Sequence, residues 1–179
     1  MGNKIVIDLE TQKNFKEVGG KNFLEQLKIS VCGVYNYETQ ELRAYREEEL
    51  PEFEEVLKNT DVVIGFNHRH FDMPVLKPYL KQVKLDDFEY IDIMERLQNV
   101  LGYRVSLDKV ATATLGTKKS GSGLQALEYY KQGQWDKLIS YCLDDVKITR
   151  DIYEYGLKNG LVKFKAGWGS YEVPIDFSV

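Results

Sequence analysis

The sequence predicts a three-layer α/β domain whose sheet has an antiparallel edge, on two observations. Two apolar runs with period-two alternation are joined by a three-residue turn, which makes a hairpin and so a pair of antiparallel strands. From residue 61 onward short apolar runs alternate with segments of helical spacing, the pattern of a sheet covered by helices. The resulting order is strand, strand, strand, helix, strand, helix, strand, then helices, which gives a mixed five-stranded sheet flanked by helices.

Element by element, KIVIDLE (4–10) alternates, with Ile5, Ile7 and Leu9 on one face and Val6, Asp8 and Glu10 on the other. LKISVCGVYNY (27–37) and ELRAYRE (41–47) are the hairpin strands, linked by Glu38-Thr39-Gln40. LPEFEEVLKN (50–59) places apolar residues at 50, 53, 56 and 57, a helix, and DVVIGF (61–66) is a short buried strand. MPVLKPYL (73–80) reads as a helix and FEYIDI (88–93) as a strand. MERLQNVLG (94–102) is a helix closed by Gly102, and SLDKVATATLG (106–116) another, capped by Ser106 and ended by Gly116. LQALEYYKQG (124–133) and WDKLISYCLDDVKITRDIYEYGL (135–157) are the last helices, and the tail from Leu161 is an extended closing segment.

At 179 residues the chain is expected to form one domain, 1–179. A hydrophobic share of 43%, a charged share of 29% and four prolines describe a folded chain, and no apolar run is long enough to span a membrane. The N-terminus enters a strand pattern directly with no signal-peptide core, so a cytoplasmic location is expected, and Val6 stands where a myristoylation signal wants Ser or Thr. Cys32 and Cys142 read as buried thiols. A formal charge of -4 and a pI near 5.3 argue against gripping nucleic acid by bulk positive charge, unless bound cations supply what the chain lacks.

Asp8 and Glu10, two apart on a strand, leave the same face about 6.5 to 7 Å apart at the backbone. On a buried central strand two such acids repel each other unless a hard cation shares them; on an edge strand the same face is simply wet. In the long final helix Leu138, Cys142, Asp145, Thr149 and Ile152 form one stripe, so Asp145 is an acid in a largely apolar face, with Tyr141 one turn back. Asp144 falls instead with Lys137, Ser140, Lys147 and Asp151 on a solvated face. Asp72 follows a buried strand, where sheet proteins of this type place functional groups; as a plain alternative it caps a helix.

Asp8-Leu9-Glu10-Thr11, Asn67 to Asp72, and Tyr141-Cys142-Leu143-Asp144-Asp145, in that order, resemble the D-x-E, N-x3-[FY]-D and Y-x3-D motifs of the DEDD (DnaQ-like) superfamily of 3′-5′ exonucleases with the ribonuclease H-like fold. A tyrosine precedes the last acid, and Ser140 stands where the histidine subgroup carries its base, so the match is to the tyrosine subgroup. Within it the segments IGFNHRHFDMPVL and ISYCLDDVKIT look most like stand-alone YprB-type exonuclease domains. The resemblance covers almost the whole chain and implies two-metal phosphodiester hydrolysis. Asp8, Glu10, Asp72 and Asp145 would then hold two Mg2+ or Mn2+ ions about 4 Å apart, and Tyr141 would orient the attacking water. By the same analogy Thr11, Asn67 and Phe71 lie on the substrate side. His68 and His70 are expected at the rim, a two-histidine metal site being disfavoured because the chain has no third imidazole.

GTKKSGSG (116–123) lacks the lysine of a phosphate loop and follows a helix. It reads as a linker, or as a basic loop in which Lys118 and Lys119 touch a backbone phosphate. Asp92 reads as a helix cap, with support of the metal site as the alternative. Phe164, Trp168 and Tyr171 beside Lys163 and Lys165 can stack bases, although closure of the core is the preferred reading. Two functions follow. One is a metal-dependent 3′-5′ exonuclease acting on single-stranded RNA or DNA, with a polymerase, helicase or other repair protein as a partner in trans. The other is a ribonuclease H-like module that binds nucleic acid or protein without cutting. A binding module has no need of a self-repelling acidic cluster, which favours the enzyme.

Overall fold

The computed structural model describes residues 2–117, 121–167 and 169–178. Lys118, Lys119 and Trp168 therefore lie outside the described residues. Strands β1 (Lys4–Thr11), β2 (Ile29–Asn36), β3 (Glu41–Arg46), β4 (Val62–Gly65) and β5 (Glu89–Asp92) form one sheet in the order β3-β2-β1-β4-β5. The hairpin strands are antiparallel to each other and β2 to β1, while β4 and β5 run parallel to β1 and complete a mixed sheet. β1 is thus central, which removes the wet-edge explanation of Asp8 and Glu10.

The alternation in β1 divides the core as its sequence predicts. Ile5, Ile7 and Leu9 pack with Phe53 and Leu57 of α1 (Leu50–Leu57) and with Met73, Val75 and Leu76 of α2 (Asp72–Leu76). Val6 on the other face packs with Leu97 of α3 (Ile93–Leu101), Val110 of α4 (Leu107–Leu115) and Val146 of α6 (Trp135–Asn159). α5 (Gly123–Lys131) packs on α6 through a smaller cluster of Ala126, Leu138, Tyr141 and Cys142. The caps read from sequence are present. Ser106 accepts the Lys109 N–H, and Gly102 and Gly116 close their helices in the left-handed conformation.

Two segments differ from expectation. The helix expected over 73–80 is α2 plus a separate 3-10 turn at Lys77–Tyr79. Pro78 explains the break, since it has no N–H to give and its ring crowds the preceding turn. The tail is more than an extended segment: β6 (Leu161–Ala166) and β7 (Gly169–Pro174) form an antiparallel hairpin outside the main sheet. It closes the core as preferred, through buried Val162, Phe164, Val173, Ile175 and Phe177, and Thr114 of α4 bonds both the N–H and the C=O of Lys163. Tyr171 stacks on Phe164 but stays half exposed.

Gly33 on β2, paired with Asp8, sets how closely α6 can lie on the sheet. A Cβ there would stand 2.9 Å from Val146 Cγ2 and 3.0 Å from Cys142 Sγ. With hydrogen in its place the Cys142 thiol reaches the Asp8 carbonyl at 3.4 Å, which brings the next turn of α6, and Asp145 with it, to the end of β1.

Candidate active site

Acids from both layers meet at the C-terminal end of β1. Asp8 and Glu10 project from the strand, and Asp145 comes down from the buried stripe of α6. Each of the three offers a carboxylate oxygen lying within 4.8 Å of the others. Three hard oxygen donors so close, with Asp145 buried, fit a divalent cation such as Mg2+ or Mn2+, because without positive charge their mutual repulsion is a cost to the fold.

Asp72, the first residue of α2, lines the same cleft from the opposite layer but sits outside that 4.8 Å group. Its Oδ1 accepts the Leu9 N–H at 3.0 Å, the backbone donor between Asp8 and Glu10. It is no helix cap, since Phe71 occupies the cap position. Burial pushes its carboxyl up to about 7, against the opposing pull of His68 and the Leu9 N–H. Burial thus disfavours the charged form of Asp72 unless a cation is present.

The cleft encloses about 290 Å³, at the low end of the range of small-ligand sites. Thr11, Asn67, Phe71 and Tyr141 all line it. Tyr141 is 4% exposed and stands one turn before Asp145. Asn67 holds a left-handed backbone (φ 67°), which asparagine tolerates better than most residues, and its Oδ1 accepts a hydrogen bond from the Arg104 guanidinium. Phe71 meets Phe15 edge to face at 6.0 Å.

Sequence reasoning missed Lys13, Phe15 and Leu124 in this wall. Leu124 is 74% exposed, and an apolar side chain standing free at a cleft mouth is a signal that burial shows and sequence spacing does not. One expectation is corrected. His70 is exposed, but His68 is fully buried, its Nε2 donating to the Val63 carbonyl at 3.1 Å and its ring packed on Tyr90. It points into the sheet layer because Gly65, three residues earlier, leaves the space its ring fills.

A family model of the RNase H superfamily matches residues 6–156, a span running from β1 into α6 and taking in all four acids. The chain belongs to the RNase H superfamily. Among solved structures this RNase H-superfamily chain is similar to the family B DNA polymerase from the hyperthermophilic archaeon Pyrobaculum calidifontis, at 19% identity and a TM-score of 0.66. That likeness covers 88% of this chain and 25% of the polymerase chain, and it concerns the fold. No curated protein shows a significant match to the sequence. Among the described residues no helix is long and apolar enough to cross a membrane.

Proposed function

We propose that the protein is a metal-dependent 3′-5′ exonuclease of the tyrosine subgroup, close to the YprB type. Its 179 residues form one catalytic domain that releases nucleoside 5′-monophosphates from single-stranded RNA or DNA. The observation that carries this reading is the convergence of Asp8, Glu10 and Asp145 within 4.8 Å, in a cleft that also takes in Asp72 and Tyr141.

Asp8, Glu10 and Asp145 would hold Mg2+ or Mn2+, with Asp72 completing the coordination of a second ion. Bound there, the ions would neutralise phosphate charge and acidify a water molecule. The Tyr141 phenol, which lines the cleft together with Asp145, would align that water by a hydrogen bond. Phe71 and Phe15 give an apolar wall against which a terminal base can rest, while Asn67 and Thr11 offer polar atoms to the sugar and phosphate. The acidic net charge suits this chemistry, since ions at the cluster supply locally the attraction for phosphate that the chain as a whole lacks.

The test is a time course on 5′-labelled single-stranded RNA and DNA of one sequence, with Mg2+, Mn2+ or EDTA, alongside Asp145→Asn. A metal-dependent ladder shortening from the 3′ end, absent in the variant, is expected, and the faster substrate identifies the sugar. Metal-independent cleavage, or equal cleavage by the variant, overturns the reading.

A further inference from the structure

Asp92 sits at the C-terminal end of β5, 2% exposed and separated from β1 by β4. It caps α3 by accepting the Met94 and Glu95 N–H groups on Oδ1, at 3.1 and 3.2 Å. The cap uses only part of the carboxylate. Oδ1 also accepts the Asn67 N–H at 2.8 Å and Oδ2 the Arg69 N–H at 3.1 Å, both from the loop that leads to Asp72. His68 lies between these two residues, its Nδ1 3.5 Å from Asp92 Oδ2 and its Nε2 anchored on Val63 of β4. A Cβ on Gly65 would fall 2.5 Å from His68 Cγ, so the ring fills the space that a side chain at residue 65 would need. From this loop the chain passes to α2 through Phe71 N–H to the Asn67 carbonyl (3.1 Å) and Met73 N–H to the His68 carbonyl (2.9 Å). Asp72, between those two donors, is delivered to the Leu9 N–H. Burial alone would push the Asp92 carboxyl up, but His68 and the backbone N–H groups outweigh it and hold it below its ordinary value.

We propose that Asp92 is a positioning residue for the cleft: with His68 as spacer, its carboxylate fixes the backbone of residues 67–69 and thereby sets Asp72 against β1. The consequence for catalysis rests on the exonuclease reading; the consequence for Asp72 does not. Glu54 of α1 provides the control. It too is a buried carboxylate holding a loop, accepting the N–H groups of Lys81, Gln82 and Val83 at 2.6, 2.6 and 3.2 Å, and it is not among the residues lining the cleft.

Asp92→Ser keeps a side chain that caps helices well and removes the loop bonds, and Asp92→Asn is the milder variant should the serine not fold. The Leu9 amide resonance of the metal-free protein reports the Asp72 bond directly. It is expected to move in either Asp92 variant toward its position in Asp72→Ala, and to stay in place in Glu54→Gln. Calorimetry with Mn2+ should show affinity weakened about tenfold, and kcat should fall by about tenfold with KM for single-stranded substrate within about twofold. A Leu9 amide unmoved in the folded Asp92 variant overturns the proposal, as does a loss in Mn2+ affinity no larger than that of Glu54→Gln. If the wild-type protein cuts neither RNA nor DNA, the exonuclease reading falls, while the amide and calorimetric results still decide the role of Asp92.

Discussion

Asp72 and Asp92 are 4% and 2% exposed and stand at the same end of the sheet, yet burial prevails at one and fails at the other. Four backbone N–H groups from the loop and from α3 converge on Asp92, and its carboxyl is held below the ordinary value. Glu54, with three such donors, behaves the same way. Asp72 has two, the N–H of Leu9 and its own, and is pushed up to about 7. The fold thus supplies donors generously to the acids that hold loops and sparingly to an acid that faces the cleft. A carboxylate short of donors in a buried place is one whose charge an incoming cation can stabilise.

The comparison breaks most sharply if the cleft acids prove dispensable. Asp145→Asn, nearly isosteric in a fully packed stripe, should lower cleavage more than about 10³-fold while leaving the far-UV circular dichroism and the melting temperature close to wild type. A rate within about tenfold of wild type would remove Asp145 from the centre.

The next effect is on stability. Between its unfolded value near 3.8 and its folded value of about 7, Asp72 binds a proton in the folded state and not in the unfolded one. Metal-free protein should therefore lose stability as pH rises from about 4 to 7. Asp92, shifted the other way, contributes stability that is present at neutral pH and lost as pH falls through its folded value. Denaturant titrations across this range should show a flatter profile for Asp72→Asn than for wild type. Identical profiles would mean that burial is not what governs Asp72.

A smaller change is expected at Tyr141. Phenylalanine preserves the packing of the buried ring against Leu138 and Cys142 and removes only the hydroxyl, so cleavage should slow by roughly 10- to 100-fold with Mn2+ binding unchanged by calorimetry. Loss of Mn2+ binding would instead make the hydroxyl part of the metal site.

Much of this geometry was legible in the sequence because it is periodic. The alternation of KIVIDLE divides the core as it does in the structure, and the stripe from Leu138 to Ile152 is buried from end to end. Glycine and serine punctuation placed the boundaries of α3 and α4. What was not legible depends on tertiary partners. His68 sits beside exposed Arg69 and His70 in a polar run, and only the cavity over Gly65 and the reach of β5 explain its burial. The double duty of Asp92 needs a loop 25 residues away in sequence, and no local pattern announces that. The tail alternates as any strand does, and alternation does not announce that its two strands pair with each other outside the main sheet.

Asp144 adjoins Asp145 in sequence and gives the finest test of the contrast between acids that face the cleft and acids that do not. The 3.6-residue period turns its carboxylate away from the cleft, where it meets Lys147 one turn later at 3.0 Å, with both side chains more than a third exposed. Water and salt screen such a pair, and its removal should cost no more than about 0.5 kcal/mol. Asp144→Asn should accordingly leave cleavage within about twofold of wild type. Two adjacent aspartates would then differ by about three orders of magnitude, a difference that helix phase explains and net charge does not, since each substitution removes one negative charge. Equal losses in the two variants would mean that α6 is rotated relative to β1 and that the acid facing Asp8 has been misidentified.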